Sequence, residues 1–263
     1  MAKSRIEWTD ETWNPVTGCT KVSDGCRHCY AERMAHRFGW DFGRVTVHED
    51  RIGLPLRWRR PRRCFVCSMG DLFHPDVAPS TVARILDVMC CDRAERHTFQ
   101  ILTKRPFFWR KFVFWLSENW PSHSPICRAL FTIADESGVV THEPKFPSNI
   151  WMGISAENQA AYDARIDATH EFPTWVTFLS LEPLLGPINL NIDAHPIGWV
   201  IVGGESGGNA RPMDPRWAAD IREECADHGV PFFMKQLSQA DAPRSFKDFH
   251  AFPRNLQVRE FPE

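Results

Sequence analysis

Three cysteines dominate the chemistry this chain could perform. Cys19, Cys26 and Cys29 fall within eleven residues of the stretch "GCTKVSDGCRHCYAERM" (18–34), spaced C-x6-C-x2-C, one thiolate short of a closed four-cysteine site. Zinc is one reading, with His28 completing a Cys3His set, although His28 directly precedes Cys29 and adjacent side chains seldom turn toward one ion. A 4Fe-4S cluster is another, in which three thiolates leave one iron without a protein ligand. That open iron could bind a small chelator, and S-adenosylmethionine, with its amino and carboxylate groups, is the obvious one. Plain packing is the third, because cysteine is often simply buried. The spacing favours the cluster. Cys26 and Cys29 share a face at the start of a predicted helix, whose N-terminus suits the negative charge of a thiolate-ligated cluster.

The other candidates stand at the ends of predicted strands. Short runs rich in apolar, β-branched or aromatic residues predict seven strands, at 12–18, 63–69, 98–103, 149–155, 175–181, 198–204 and 230–236. Polar residues close each one. Cys19 follows the first, Ser68, Met69, Gly70 and Asp71 the second, and Lys104 and Arg105 the third. Ser155 and Glu157 follow the fourth, Glu182 the fifth, Glu205 the sixth and Lys235 the last. In parallel barrels chemistry gathers at the carboxyl ends of the strands, so clusters in phase at every strand point to one pocket. Glu182 and Glu205 follow strongly apolar runs, where an acid is costly without a partner.

Helical patterns lie between the strands. Tyr30, Met34 and Phe38 recur every four residues, with Gly39 as a stop. Ser80 is a candidate cap for a helix with Val82, Ile85, Leu86 and Met89 on one face. Asn158 precedes a helix with Tyr162 and Ile166 inward; Asp214 and Pro215 open another, with Trp217, Ile221 and Cys225 inward and Gly229 at its end. Strands alternating with helices mean crossover units and a parallel sheet. Seven such strands suit a partial barrel better than a doubly wound sheet. The expectation is an α/β fold over 1–263 as a single domain, with a loop-like insertion at about 120–147.

Composition agrees. The chain has 263 residues, 43% of them hydrophobic and 24% charged, enough for a full core in one domain. A net charge of -2 gives no global attraction to nucleic acid or membrane, so either partner would need a local patch. The apolar runs are too short to span a bilayer, and the opening "MAKSRIEWTDETW" has no signal-like apolar core, so a cytoplasmic protein is expected. Nine cysteines in such a protein are poor candidates for structural disulfides. Cys64 and Cys67, on a strand, and Cys90 and Cys91, adjacent on a helix, read as packing rather than as a second cluster.

Several stretches together resemble a known family. "IEWTDETWNPVTGC", "CRHCYAERMA", "SMGDLFH", "FQILTKRP", "LSLEPLLGPI", "VIVGGESG" and "RPMDPRWAADIREEC" are similar, in order, to phage- and prophage-encoded radical S-adenosylmethionine-like proteins. The resemblance implies a partial (β/α)6 barrel and a 4Fe-4S cluster on Cys19, Cys26 and Cys29. It also implies reductive cleavage of S-adenosylmethionine to a 5′-deoxyadenosyl radical, with the cofactor supplying the radical chemistry, and an electron donor such as flavodoxin or ferredoxin. The superfamily's usual loop is C-x3-C-x2-C; this one has a longer first gap, and His28 where an aromatic residue is common. By position, Ser68, Met69, Gly70 and Asp71 would meet the methionyl amino group and Lys104 or Arg105 its carboxylate. Ser155 and Glu157 would meet the ribose, leaving Glu182, Glu205 and Lys235 for substrate.

One stretch bears on that substrate. "RIGLPLRWRRPRRC" (51–64) interleaves arginines with an aromatic, and Arg57, Trp58, Arg59 and Arg60 would suit phosphate contact and base stacking. A solvated connector before the second strand is the competing reading. With the family's phage setting, the patch suggests a base of phage DNA, such as a hypermodified thymine, that is modified or rearranged. A small metabolite or peptide substrate, or a zinc-bound nucleic-acid-binding module without catalysis, are the alternatives.

Overall fold

The computed structural model describes residues 4, 6–131, 145–238 and 247–263. Its elements run β1 (Glu11–Trp13), β2 (Val16–Thr17), α1 (Tyr30–Arg37), β3 (Thr46–Val47), α2 (Glu49–Ile52), β4 (Arg63–Val66), α3 (Pro79–Cys90) and β5 (Thr98–Thr103). Then follow α4 (Phe108–Asn119), α5 (Pro125–Leu130), β6 (Ile150–Ser155), α6 (Gln159–Ile166), β7 (Thr177–Leu181), β8 (Trp199–Gly203), α7 (Pro215–Asp227) and β9 (Phe232–Gln236). Every predicted strand is present. The first is interrupted at Asn14 and Pro15, because proline has no N–H to give a ladder, and β2 pairs antiparallel with β3 in a small second sheet.

The main sheet has the order β1-β4-β5-β6-β7-β8-β9. Pairs β1·β4, β4·β5, β7·β8 and β8·β9 are parallel. Each new strand joins beside the one before it, with no reversal of direction across the sheet, which is the winding of a barrel rather than of a doubly wound fold. The fold is therefore the α/β, parallel, barrel-type class expected. β6, β7 and β8 are buried at every residue, as strands covered on both faces must be. Among the described residues no helix is long and apolar enough to cross a membrane.

The chain divides into two compact units, one of residues 1–19, 43–152 and 171–175, the other of 20–42, 153–170 and 176–263. In the first, α3 buries Val82, Ile85, Leu86 and Met89 completely, each worth about 1.5–3 kcal/mol of apolar burial. Its start differs from expectation. The cap position is Ala78 with Pro79 in the first turn, so Ser80 already lies inside the helix. The expected loop at 120–147 holds α5, capped by Ser124, whose side chain accepts from Cys127 N–H; residues 132–144 lie outside the described ones.

In the second unit, Asn158 caps α6 and Asp214 caps α7 through their side chains, and Gly229 takes a positive φ of 65° after α7. Gly153 in β6 lets β7 approach, since a Cβ there would sit 2.4 Å from the Phe178 carbonyl oxygen. α1 follows its predicted period, but its buried face is Ala31 and Ala35; Tyr30, Met34 and Phe38 are exposed.

Candidate active site

In the first unit the chain leaving β1 is stitched to the segment after β4. Asn14 Oδ1 accepts from Ser68 Oγ at 3.2 Å and from Met69 N–H at 2.9 Å, and Gly18 N–H donates to the Met69 carbonyl at 3.0 Å. Gly18 has φ +92°, and a Cβ on it would fall 2.3 Å from the Arg44 carbonyl oxygen, so only glycine fits immediately before Cys19. Asp71, buried, is the hub of this end. Its carboxylate accepts from Thr103 Oγ1 at 2.9 and 3.1 Å, Phe73 N–H at 3.0 Å, Lys104 N–H at 3.2 Å and Arg105 Nη1 at 3.3 Å. The same Arg105 Nη1 stands 3.4 Å from Cys19 Sγ, a cation placed where it favours the thiolate.

The second unit holds Cys26 and Cys29. Cys26 ends a short 3-10 turn, Asp24–Cys26, and Cys29 is the N-terminal flank of α1. Burial pushes the Cys29 thiol up, against the backbone N–H groups of Glu32 and Ala31 at the helix start, which favour its thiolate. Glu157, after β6, is 1% exposed; its Oε1 accepts from Gly25 N–H at 3.1 Å and its Oε2 from Arg165 Nη1 at 3.2 Å. Glu205, after β8, is 4% exposed; it pairs with Arg211 and takes a 2.9 Å contact from His28 Nδ1. Burial raises the Glu205 pKa, but the Arg211 side chain and backbone, with His28, outweigh it and hold the carboxyl below its ordinary value.

Glu182 and Lys235 form a third group, also in the second unit. Lys235 Nζ lies 2.9 Å from Glu182 Oε1 and 3.0 Å from Oε2, and Ser180 Oγ donates to Oε2 at 3.3 Å. Oε1 is buried and accepts no well-aligned hydrogen bond. A Cβ on Gly203 would sit 2.3 Å from Oε1, so this glycine makes the carboxylate's seat. Ser155, expected near a ribose, donates its hydroxyl to the Glu182 carbonyl at 3.3 Å.

A family model described as a protein of unknown function, DUF5131, matches residues 3–260. The chain belongs to the DUF5131 family. A search of curated proteins gives no match for it. Among solved structures, this DUF5131 chain is similar to "Spore photoproduct lyase complexed with dinucleoside spore photoproduct", with 9% identity and a TM-score of 0.47, over 95% of this chain and 72% of that one.

The cysteines of this DUF5131 protein differ in their surroundings. Cys64 and Cys67 are buried, with thiols pushed up by burial, that of Cys67 to about 12, and Cys90 and Cys225 are raised in the same way. Cys19, Cys26 and Cys29 are half-buried, the first beside the Arg105 guanidinium and the last at the N-terminus of α1. Thiols are the donor chemistry that iron–sulfur groups take from proteins. Among the described residues no group of three or more His, Cys, Asp and Glu is gathered closely enough to hold a metal ion.

One assignment needs revision. Trp58 is 7% exposed, its ring against His97 and under Arg62, so it is a core side chain and not a stacking surface. Arg57, Arg59 and Arg60 are exposed but precede β4, at the end opposite Ser68–Asp71. Arg59 lines a hollow of about 400 Å³ with Arg96, Asp92 and Glu95, where two anions match two cations. Glu157 and Glu205 both have protein partners, Gly25 and Arg165 for the first and His28 and Arg211 for the second. Sequence reasoning missed Asn14, Arg165 and Arg211. Arg165 alone left a signal, as a cation between the inward Tyr162 and Ile166.

Proposed function

We propose that this protein is a radical S-adenosylmethionine enzyme whose iron–sulfur group is held by Cys19, Cys26 and Cys29. The observation that carries the reading is the Cys26–Cys29 pair, three residues apart at a turn-to-helix junction and held by buried carboxylates from the ends of β6 and β8. When bound, such a group supplies the one-electron reduction that cleaves S-adenosylmethionine to a 5′-deoxyadenosyl radical.

The protein's own groups divide the remaining work. Arg105 holds positive charge at the Cys19 sulfur, and Asp71 fixes Arg105 while tying the ends of β4 and β5. Glu182 and Lys235, ion-paired at 2.9 and 3.0 Å, are the acid–base pair left for substrate. The proposed substrate is a base or nucleotide of DNA, with Arg57, Arg59 and Arg60 gripping the phosphate backbone away from the reacting end. DNA binding by this protein should then fall steeply with salt; salt-insensitive or absent binding leaves a small metabolite or peptide as the substrate class. An electron donor such as flavodoxin or ferredoxin would be the reducing partner.

Anaerobic purification and reconstitution test the reading. A brown protein with about four irons and four sulfides per chain is expected, lost in Cys26→Ala and Cys29→Ala. A colourless protein with stoichiometric zinc would mean a zinc module instead.

A further inference from the structure

The turn that carries Cys26 cannot satisfy its own backbone. Ser23 stands at its N-terminal flank without a side-chain capping bond, which leaves the Gly25 N–H without a local acceptor. Glu157 supplies one from 132 positions away, 3.1 Å from Gly25 N. Arg211 Nη2 then donates to the carbonyl of Asp24 at 3.1 Å, at the opposite polarity. Beyond the turn, Glu205 Oε2 takes His28 Nδ1 at 2.9 Å, between Arg27 and Cys29. Both carboxylates are nearly fully buried, and each has its own arginine, Arg165 for Glu157 and Arg211 for Glu205.

We infer that Glu157 and Glu205 are positioning residues, a pair of clamps that fix the course of the Cys26–Cys29 loop from the ends of two strands. The Cys19–Cys26 gap is longer than C-x3-C, and a longer segment has more conformations to lose when it must bring Cys26 to a fixed place beside Cys29. Two buried anchors restrict those conformations before any metal arrives. The arginines matter as much as the acids. A bare carboxylate beside the loop would repel thiolates, whereas a neutralised one offers an acceptor without that penalty. Arg165 is fixed in turn by the Ser155 carbonyl at 2.6 Å, and the Arg211 carbonyl accepts from Ser238 Oγ at 2.7 Å. This inference rests on reading Cys26 and Cys29 as ligands, but its test does not require metal.

The test is alkylation of the metal-free protein with iodoacetamide, mapped residue by residue, with Cys225 in the same unit as the reporter of global opening. Glu157→Leu and Glu205→Leu should each raise the rates at Cys26 and Cys29 about ten-fold while Cys225 keeps its own. Glu205→Gln, which retains an acceptor for His28, should stay within about three-fold of the parent. Unchanged rates at Cys26 and Cys29 in the leucine variants, or equal acceleration at Cys225, overturn the clamp. If those variants do not fold, amide exchange in the unaltered protein decides. Protection of Gly25 is expected, and exchange at the rate of an open loop refutes the anchor. A clamp that passes in a protein that takes up no iron stands, while the enzyme reading falls.

Discussion

Replacing Gly203 with alanine should break the Glu182–Lys235 pair without touching either residue. The added Cβ would sit 2.3 Å from Glu182 Oε1 and 3.1 Å from its Cδ, so the carboxylate must retreat by about 1 Å to reach ordinary contact. It is not free to do so at no cost, because Lys235 Nζ holds both oxygens, at 2.9 and 3.0 Å, and Ser180 holds one. A retreat of that size stretches the nearer contact to about 4 Å, the limit of an ion pair. Overpacking of this kind costs about 1–3 kcal/mol, which for a chain of this size lowers the melting temperature by about 3–10 °C. The decisive assay is a thermal or urea double-mutant cycle with Glu182→Ala. Removing the Glu182 side chain opens the space, and the Gly203 backbone does not need a positive φ, so the cost of Gly203→Ala should shrink toward zero in that background. An equal cost in both backgrounds would refute the seat ascribed to this glycine.

Other consequences are open to direct measurement. Trp58→Ala should destabilise the protein by about 3–5 kcal/mol in urea unfolding, and leave salt-dependent DNA binding unchanged at equal folded fraction; selective loss of binding would restore Trp58 as a stacking residue. Asp71→Asn should cost about 3–5 kcal/mol in the same assay, because Arg105 and Asp71 are 11% and 7% exposed and the guanidinium would lose its anion. For Glu205 the folded pKa is depressed, so the unfolded chain binds the extra proton first. Its contribution is complete above about pH 4.3, the ordinary glutamate value, and fades as pH falls through the lower folded value. Urea midpoints measured from about pH 5 down to 3 should therefore fall less steeply in Glu205→Gln than in the parent.

The fold was legible because its signals are local. Seven apolar runs, Asn158 and Asp214 as caps, Pro215 and Gly229 all speak for their own segments, and the elements form where they stand. The misreadings came where tertiary context decided. Pro79, one residue ahead of Ser80, took the start of α3. Trp58 sits in an arginine-rich stretch that looks solvated, yet its ring lies in the core beside His97. At the site, residue types and strand ends were readable, whereas partners were not. Nothing local tells that Glu157 meets Gly25, or that Glu205 meets His28 and Arg211 at separations of 132, 177 and 6 positions.

The central claim, that the three cysteines serve radical chemistry, is tested most directly by one reaction. Reconstituted, reduced protein is incubated anaerobically with S-adenosylmethionine, and 5′-deoxyadenosine and methionine are quantified by mass spectrometry. The account predicts both products, with yields reduced to background in Cys26→Ala. Intact S-adenosylmethionine after incubation with a protein that holds its full iron and sulfide would contradict it.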